Sequence, residues 1–101
     1  MTDPLSHPEQ AFDEAIHLLD RAEGEKAEAL LELVISAARS SGERVLLVRA
    51  LCVLGEWLHE QGRRAEARHR LSEVLEVQVD EPDLIAYEQR RAREILGAQA
   101  P

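Results

Sequence analysis

The stretch ALCVLGEWLHEQGRRAEARHRLSEVLEV, residues 50–77, decides the fold of this chain. Its first half places Leu51, Leu54 and Leu58 at three- and four-residue steps, which predicts the apolar face of a helix. Gly55 leaves a notch on that helix against which a neighbouring helix can pack. The second half carries an apolar face of its own, made of Ala67, Leu71, Val74 and Leu75. With Gly62 between the halves, the stretch predicts two helices folded back on each other as a hairpin.

The spacing in this hairpin resembles the tetratricopeptide repeat, a family of stacked helical hairpins. Leu54 and Gly55 match the Leu-Gly pair of the family, and Gly62 matches its turn. The other matches are Leu51 at the family's Trp, Leu58 at its Tyr, Ala67 at its Ala, and Leu71 and Val74 at its later apolar and small positions. Val79 stands where the family usually has its closing Pro. The resemblance implies an all-α fold of stacked antiparallel hairpins and a general role in protein binding.

Two further stretches are incomplete copies of this hairpin. The step from Gly24 to Ala29 to Leu33 repeats the step from Gly62 to Ala67 to Leu71 at an offset of 38 residues. Residues 91–97, RAREILG, repeat residues 49–55, RALCVLG, at an offset of 42. Both periods exceed the usual repeat of about 34 residues. They resemble the longer variant found in bacterial signalling regulators and kinesin light chains, and predict a short solenoid of five helices.

The helix boundaries follow from capping and turn residues. Ser6 to Glu9 and Ser40 to Glu43 each have the spacing of a capping box, and Gly24 is expected to end the first helix. The second helix is expected over residues 25–39, the third over 43–61 at the centre of the core, the fourth over 64–78, and the fifth from Pro82. The predicted organisation is a flexible leader at 1–7, hairpins at 8–40 and 43–78, a capping helix at 82–97, and a tail at 98–101. In the first helix, the predicted apolar face is Phe12, Ala15, Ile16, Leu19 and Ala22.

Composition and charge narrow the class of protein. A chain of 101 residues with 45% apolar and 32% charged residues is typical of one soluble helical domain. The net charge is -8, and residues 1–43 hold ten acids against three bases, which disfavours nucleic acid as a partner. No apolar run reaches the roughly 20 residues of a membrane span, so no membrane association is expected. The N-terminus lacks a signal-peptide pattern, and the single Cys52 allows no internal disulfide. A cytoplasmic location is therefore expected.

The resemblance also implies where a partner would bind. In tetratricopeptide repeats the first helix of each pair lines a concave surface, and matching positions in this chain can be named. They are Glu14, Leu18 and Arg21 on the first helix, Arg49, Cys52, Glu56, His59 and Glu60 on the third, and Arg91, beside Glu94, on the fifth. A strip of mixed charge suits a peptide or helix of a partner protein. The alternative is that these residues form ordinary solvated helix faces.

Other kinds of site have weaker support. The arginines 63, 64, 68, 70, 90, 91 and 93 could bind an anion, but the pairs Glu60–Arg64, Glu66–Arg70 and Arg90–Glu94 are spaced for ion pairing within a helix. Two-ligand sets such as Asp13 with His17 do not make a metal site. Cys52 and His59 lie about 10 Å apart along a helix, too far for thiol activation. We expect no cofactor, no metal and no catalytic activity.

The sequence therefore predicts a non-catalytic adaptor or scaffold that docks a partner segment across helices one, three and five. A different class of function, a structural module that pairs with a second copy as a homodimer, is the main alternative, because terminal helices of a short stack have only one covered side. A truncated sensor array of a larger bacterial regulator is a further alternative.

Overall fold

A computed structural model describes residues 6–99 and is all-helical over that range. The helices are α1 Pro8–Asp20, α2 Gly24–Ser41, α3 Arg44–Glu60, α4 Arg64–Glu76 and α5 Ala86–Gln99, with a 3-10 helix at Pro82–Ile85 before α5. The predicted all-α class with five helices is confirmed. Residues 1–5 of the predicted leader and residues 100–101 of the predicted tail lie outside the described residues.

Each helix packs against the next one along the chain. The backbone of α2 lies against α1 and α3, that of α4 lies against α3 and α5, and α5 also contacts α3. The described residues form a slab of 45 × 34 × 18 Å. Its smallest dimension corresponds to two layers of helices, because packed helix axes lie about 8–10 Å apart.

α3 lies at the centre of the core, as predicted. Nine of its residues are buried, and they cover most of the circumference of the helix over its first three turns. Leu51 and Leu54 are among the largest fully buried side chains. A helix with neighbours on several sides needs apolar residues all round, which is the pattern of the run VLLVRALCVL.

The two glycines of the central hairpin have the predicted roles. Gly55 is buried, and a methyl group added to it would lie 2.6 Å from both Cγ and Cδ2 of Leu71 on α4. That distance is well inside the contact distance of about 3.5–4.0 Å between carbons, so only a residue without a side chain allows this approach. Gly62 lies in the turn between α3 and α4 with φ +78, a left-handed conformation that glycine adopts without a steric penalty.

The register of the first repeat differs from the prediction. Ala29 is exposed and Leu33 is 46% exposed, whereas Ala27 and Leu31 are fully buried. Ala27 and Leu31 precede their buried counterparts Ala67 and Leu71 by 40 residues, and not by the predicted 38. Three further buried pairs keep the same offset: Ala15 with Gly55, Leu18 with Leu58, and Val34 with Val74.

Ala22 explains the error in register. It has φ +60 and occupies the position in the α1–α2 turn that Gly62 occupies in the α3–α4 turn. The flanking hydrogen bonds agree, since the Glu23 amide donates to Leu18 and the Arg63 amide donates to Leu58. The prediction aligned the two turns on glycine because this conformation is costly for any other residue.

Several predicted helix ends are also wrong. α1 ends at Asp20 and not at Gly24, and neither predicted capping serine occupies the cap position of its helix. At the second box, Ser40 and Ser41 belong to the last turn of α2, which ends on Gly42 with φ +75. At the first, α1 begins at Pro8 after His7 in the cap position. At the far end, Ala98 and Gln99 are helical and do not belong to a tail.

α5 covers the end of the core. It buries Ala92, Ile95 and Gln99, and Ile85 of the 3-10 helix adds a fully buried side chain. Among residues 6–99, a methyl group added to Gly97 would meet nothing within 4 Å, so Gly97 does not repeat the helix-packing role of Gly55. The sequence match at an offset of 42 residues therefore does not extend to the packing of this glycine.

Candidate functional site

Three of the five predicted α3 residues lie on one strip along α3. Arg49 and Glu60 are exposed, Glu56 is half-buried, and Val53 lies between them at the same helical phase. These positions recur at three- and four-residue steps, so their side chains follow one side of the helix. The structure therefore brings only part of the predicted α3 site onto one surface.

Two predicted residues are not accessible. The structure buries Leu18 and Cys52, which corrects the prediction that their side chains line an exposed surface. Leu18 lies on the α1 face that contains Ala11 and Ala15, the face that packs on α2. The Cys52 thiol lies 3.9 Å from the carbonyl oxygen of Glu88 on α5. Burial, with the nearby carboxylates of Glu56 and Glu88, raises the pKa of Cys52 to about 12. The thiol is structural and remains protonated.

Glu14 and Arg21 lie on the wrong side of α1 to join this strip. Arg21 bonds to Glu14 and Glu23 at 3.5 and 3.2 Å, in an exposed cluster. The residues of α1 that face α3 are instead Phe12 and Leu19, which are half-buried. Glu14 follows Phe12 by two residues, which is about 200° around a helix with 3.6 residues per turn.

The predicted apolar face of α1 is therefore divided between two neighbours. Small Ala11 and Ala15 face α2, while the larger Phe12 and Leu19 face α3. A close helix pair favours small residues at the contact, which explains why the alanines and not the larger side chains face α2. The large residues then leave α1 and α3 separated by an open space.

That space contains a groove of about 720 Å³, which we call the Trp57 groove. The first hairpin contributes Leu19, Ala22 and residues 23–26 to its lining. From α3 and the residue after it come Val53, Glu56, Trp57, Glu60 and Gln61. The volume lies within the range of about 300–1,000 Å³ that is usual for ligand pockets. Its apolar residues suit side chains of a partner, and its open shape suits a chain segment.

Trp57 is fixed in place by close packing against Gly24. A methyl group added to Gly24 would lie 2.5 Å from Cζ2 of the indole, so a side chain at this position is excluded unless the ring moves. The guanidinium of Arg63 lies 5.8 Å from the centroid of the ring, within the range of a cation–π interaction. Gly24 therefore makes room for the ring and is not the turn residue that the sequence predicted.

The charges of the groove are mainly negative. Glu23 accepts hydrogen bonds from Lys26 and Arg21, which lower its pKa, and Glu56 accepts two from Arg91 at 2.7 and 2.9 Å. Glu25 and Glu60 make no hydrogen bond or ion pair within residues 6–99. The groove therefore presents two carboxylates that form no ion pair in the described part of the chain.

A smaller crevice of about 430 Å³ lies at the other end of the same interhelical space. Phe12 and Val45 supply apolar lining, and the charged residues are Glu9, Asp13, Glu43, Arg44 and Arg49. Arg49, predicted to line the site, is thus placed at this crevice and not in the Trp57 groove. Its lining is more evenly charged than that of the groove.

His59 on α3 and Arg91 on α5 join these two helices. Nδ1 of His59 lies 3.0 Å from Nε2 of the buried Gln99, and Arg64 donates to the carbonyl oxygen of Gln99 at 3.0 Å. Arg91 joins α5 to Glu56 of α3. These residues, predicted to bind a partner, are occupied by contacts within the chain.

The predicted ion pairs Glu60–Arg64, Glu66–Arg70 and Arg90–Glu94 do not form within residues 6–99, although Arg63 pairs with Glu66 and Arg91 with Glu94 at a three-residue spacing. Three further pairs cross between helices. Arg63 bonds to Glu28 at 2.8 Å, Arg70 bonds to Glu32 at 2.7 Å, and the second nitrogen of Arg39 bonds to Glu73 at 2.8 Å. All three pairs join α2 to the α4 segment. Since their charges are offset by carboxylates, these arginines do not form an open anion site.

The sequence reasoning missed several groove residues, among them Val53, Trp57, Leu19 and Lys26. The spacing gave a signal for Val53 and Trp57, which are four residues apart on α3 beside the predicted strip. Leu19 and Lys26 belong to the first hairpin, whose register was predicted wrongly.

No protein-family model, no curated protein and no solved structure matches this chain. Within residues 6–99, no three His, Cys, Asp or Glu side chains converge as metal ligands would. None of the helices described above has the length and apolar character that a membrane span requires.

Proposed function

We propose that the chain is a short helical-repeat module of the tetratricopeptide type, with two hairpins and a capping helix. The order in which the helices pack supports this proposal, because each contacts its neighbour along the chain. The offset of 40 residues between buried positions of the two hairpins supports it as well. So do the three ion pairs between α2 and the α4 segment, which join equivalent helices of successive hairpins.

We further propose that the module is a non-catalytic adaptor that binds a segment of a partner protein. The observation that carries this proposal is the Trp57 groove, an open space of about 720 Å³ with a fixed indole at its wall. Tryptophan is enriched among the residues that dominate binding energy at protein interfaces. A helix or an extended peptide laid along α3 would cover Leu19, Val53 and Trp57.

Pairing with a second copy has less support. The side of α5 turned away from the core carries Arg90, Arg93 and Glu94, which are exposed and charged. Its exposed apolar contribution is Tyr87, at 59%, next to Leu84 of the 3-10 helix, at 47%. A polar outer helix is typical of the caps that end repeat arrays.

The proposed adaptor role can be tested with a random twelve-residue peptide library displayed on phage and selected against the full chain. Selected peptides should change the fluorescence of Trp57, which is the single tryptophan of the chain. The substitution Leu19→Ser should weaken their binding about tenfold, because it removes apolar contact area from the groove. Leu33→Ser is the matched control, since Leu33 is an exposed leucine outside the groove.

The proposal is refuted if the library yields no binder that depends on Leu19, or if Leu33→Ser weakens binding as much as Leu19→Ser does. Circular dichroism melting of both variants checks that they fold. Partial exposure of both leucines makes a large loss of stability unexpected.

A further inference from the structure

We infer, on the basis of the proposed function, that the occupant of the Trp57 groove is a partner segment that carries lysine or arginine beside an apolar anchor side chain. The uncompensated charges of the groove select a segment of this chemistry. The segment belongs to a partner protein and not to a second copy of this chain.

The ionisable residues of the groove have a clear imbalance. Four carboxylates, those of Glu23, Glu25, Glu56 and Glu60, face one ammonium, that of Lys26. Bases of the chain already bond to Glu23 and Glu56. Glu25 and Glu60 therefore remain available to an incoming cation.

The two available carboxylates belong to different helices that line the groove, Glu25 to α2 and Glu60 to α3. Glu60 follows Trp57 by three residues on α3, so the two side chains are neighbours on that helix. Glu25 follows Gly24, the residue against which the indole packs. A Lys or Arg side chain that enters the groove can therefore form charge-assisted hydrogen bonds with these carboxylates. The Trp57 ring already has the guanidinium of Arg63 at 5.8 Å from its centroid, so its part in the groove is apolar contact.

The apolar part of the groove determines the rest of the segment. Leu19, Val53 and Trp57 are half-buried, so an aliphatic or aromatic side chain that covers them removes further apolar surface from water. The N-terminus of α2 lies at the same groove, and its dipole alone would favour an anion. The carboxylates of Glu23 and Glu25, at the cap and in the first turn, offset that dipole.

The test uses the peptides selected against the full chain and two double variants. Glu25→Lys with Glu60→Lys reverses the available groove charges. Glu76→Lys with Glu81→Lys is the matched control, because it changes the net charge equally at exposed carboxylates outside the groove. Binding is measured by Trp57 fluorescence and by calorimetry at low and high salt, and light scattering follows the oligomeric state of the chain.

The expected result is that selected peptides are enriched in Lys or Arg together with an apolar residue. The groove variant should bind them about tenfold more weakly or worse, the control variant should lose much less, and added salt should weaken binding. Synthetic copies with Lys and Arg replaced by Gln, or with the apolar residue replaced by Ser, should each lose affinity.

Three outcomes would overturn the inference. Groove-dependent peptides that are acidic or uncharged would show that the cation is not recognised, while leaving the adaptor role intact. Equal losses in the two double variants would show that only net charge acts. A concentration-dependent dimer of the original chain that the groove variant abolishes would identify the occupant as a second copy. Failure to obtain any groove-dependent peptide would instead refute the proposed function itself.

Discussion

The substitution Gly55→Ala tests the contact on which the central hairpin depends. A methyl group at this position would lie 2.6 Å from Cγ and Cδ2 of Leu71, about 1 Å closer than carbons normally approach. Leu71 is fully buried and cannot swing into solvent. Overpacking of this kind costs about 1–3 kcal/mol, whereas replacing a mid-helix glycine by alanine contributes about 1 kcal/mol of helix stability. The variant should therefore lose about 1 kcal/mol of unfolding free energy, with a range of about 0–2.

Gly55→Ala should change from destabilising to stabilising when Leu71 is also shortened. Leu71→Ala alone should cost about 2–5 kcal/mol through lost burial and the cavity it leaves. In that background the methyl group of Gly55→Ala no longer clashes and fills part of the cavity. It should then stabilise the protein by about 1–2 kcal/mol, which gives an interaction energy of about 2–3 kcal/mol between the two sites.

Urea unfolding of the four proteins in this cycle measures the effect, followed by circular dichroism and by the fluorescence of Trp57. Gly97→Ala on α5 is the control, because its methyl group would meet nothing within 4 Å in the described part of the chain. The control should be neutral or stabilising by up to about 1 kcal/mol in both backgrounds. If Gly55→Ala stabilises the original chain as much as Gly97→Ala does, the close approach of α3 and α4 is refuted.

Three other predictions follow from single positions. Gly62→Ala should cost about 1 kcal/mol and Ala22→Gly should gain up to about 1 kcal/mol in urea unfolding, because both positions have positive φ; equal effects of the same sign would contradict this. Hydrogen bonds from Arg63 and Arg39 lower the pKa of Glu28 and of Glu73, so these two ionised carboxylates should stabilise the folded chain above pH 4.5, and this stabilisation should be lost as pH falls below that value. Replacing both residues by Gln should flatten the dependence of the melting temperature on pH in the acid range. The pKa of Cys52 is raised to about 12, so a thiol reagent at pH 8 should react slowly with the folded chain and rapidly with the chain unfolded in urea. The free energy of unfolding should also decline as pH rises above about 9, because the thiol then ionises more readily in the unfolded chain.

The central hairpin could be predicted because its signals are local and mutually consistent. The leucine spacing of α3, the notch at Gly55 and the turn at Gly62 all agree. The first hairpin could not be placed in register, because its turn uses Ala22 in a conformation normally typical of glycine. The sequence match therefore paired Gly24 with Gly62, although Gly24 makes room for Trp57 and does not form the turn.

The candidate site was predictable only on one side. The exposed strip of α3 follows from helical phase alone, so Glu56 and Glu60 could be assigned from sequence. The side formed by α1 depends on which of two apolar faces packs against α2. That choice is made by the close approach of the two helices, which selects the small face with Ala11 and Ala15. A sequence pattern ranks the larger residues as core and so predicts the opposite choice.

The same choice explains why a groove exists at all. On the side of the slab formed by α2 and α4, ion pairs such as Glu32 with Arg70 join the two hairpins directly. On the side formed by α1 and α3, the bulk of Phe12 and Leu19 lies between the helices, and open spaces form at both ends. Shortening Leu19 should therefore alter the shape of the groove without reaching the α2–α4 contacts. The opening is thus a consequence of where large and small apolar residues fall on one helix, and it is independent of the turn and notch that define the central hairpin.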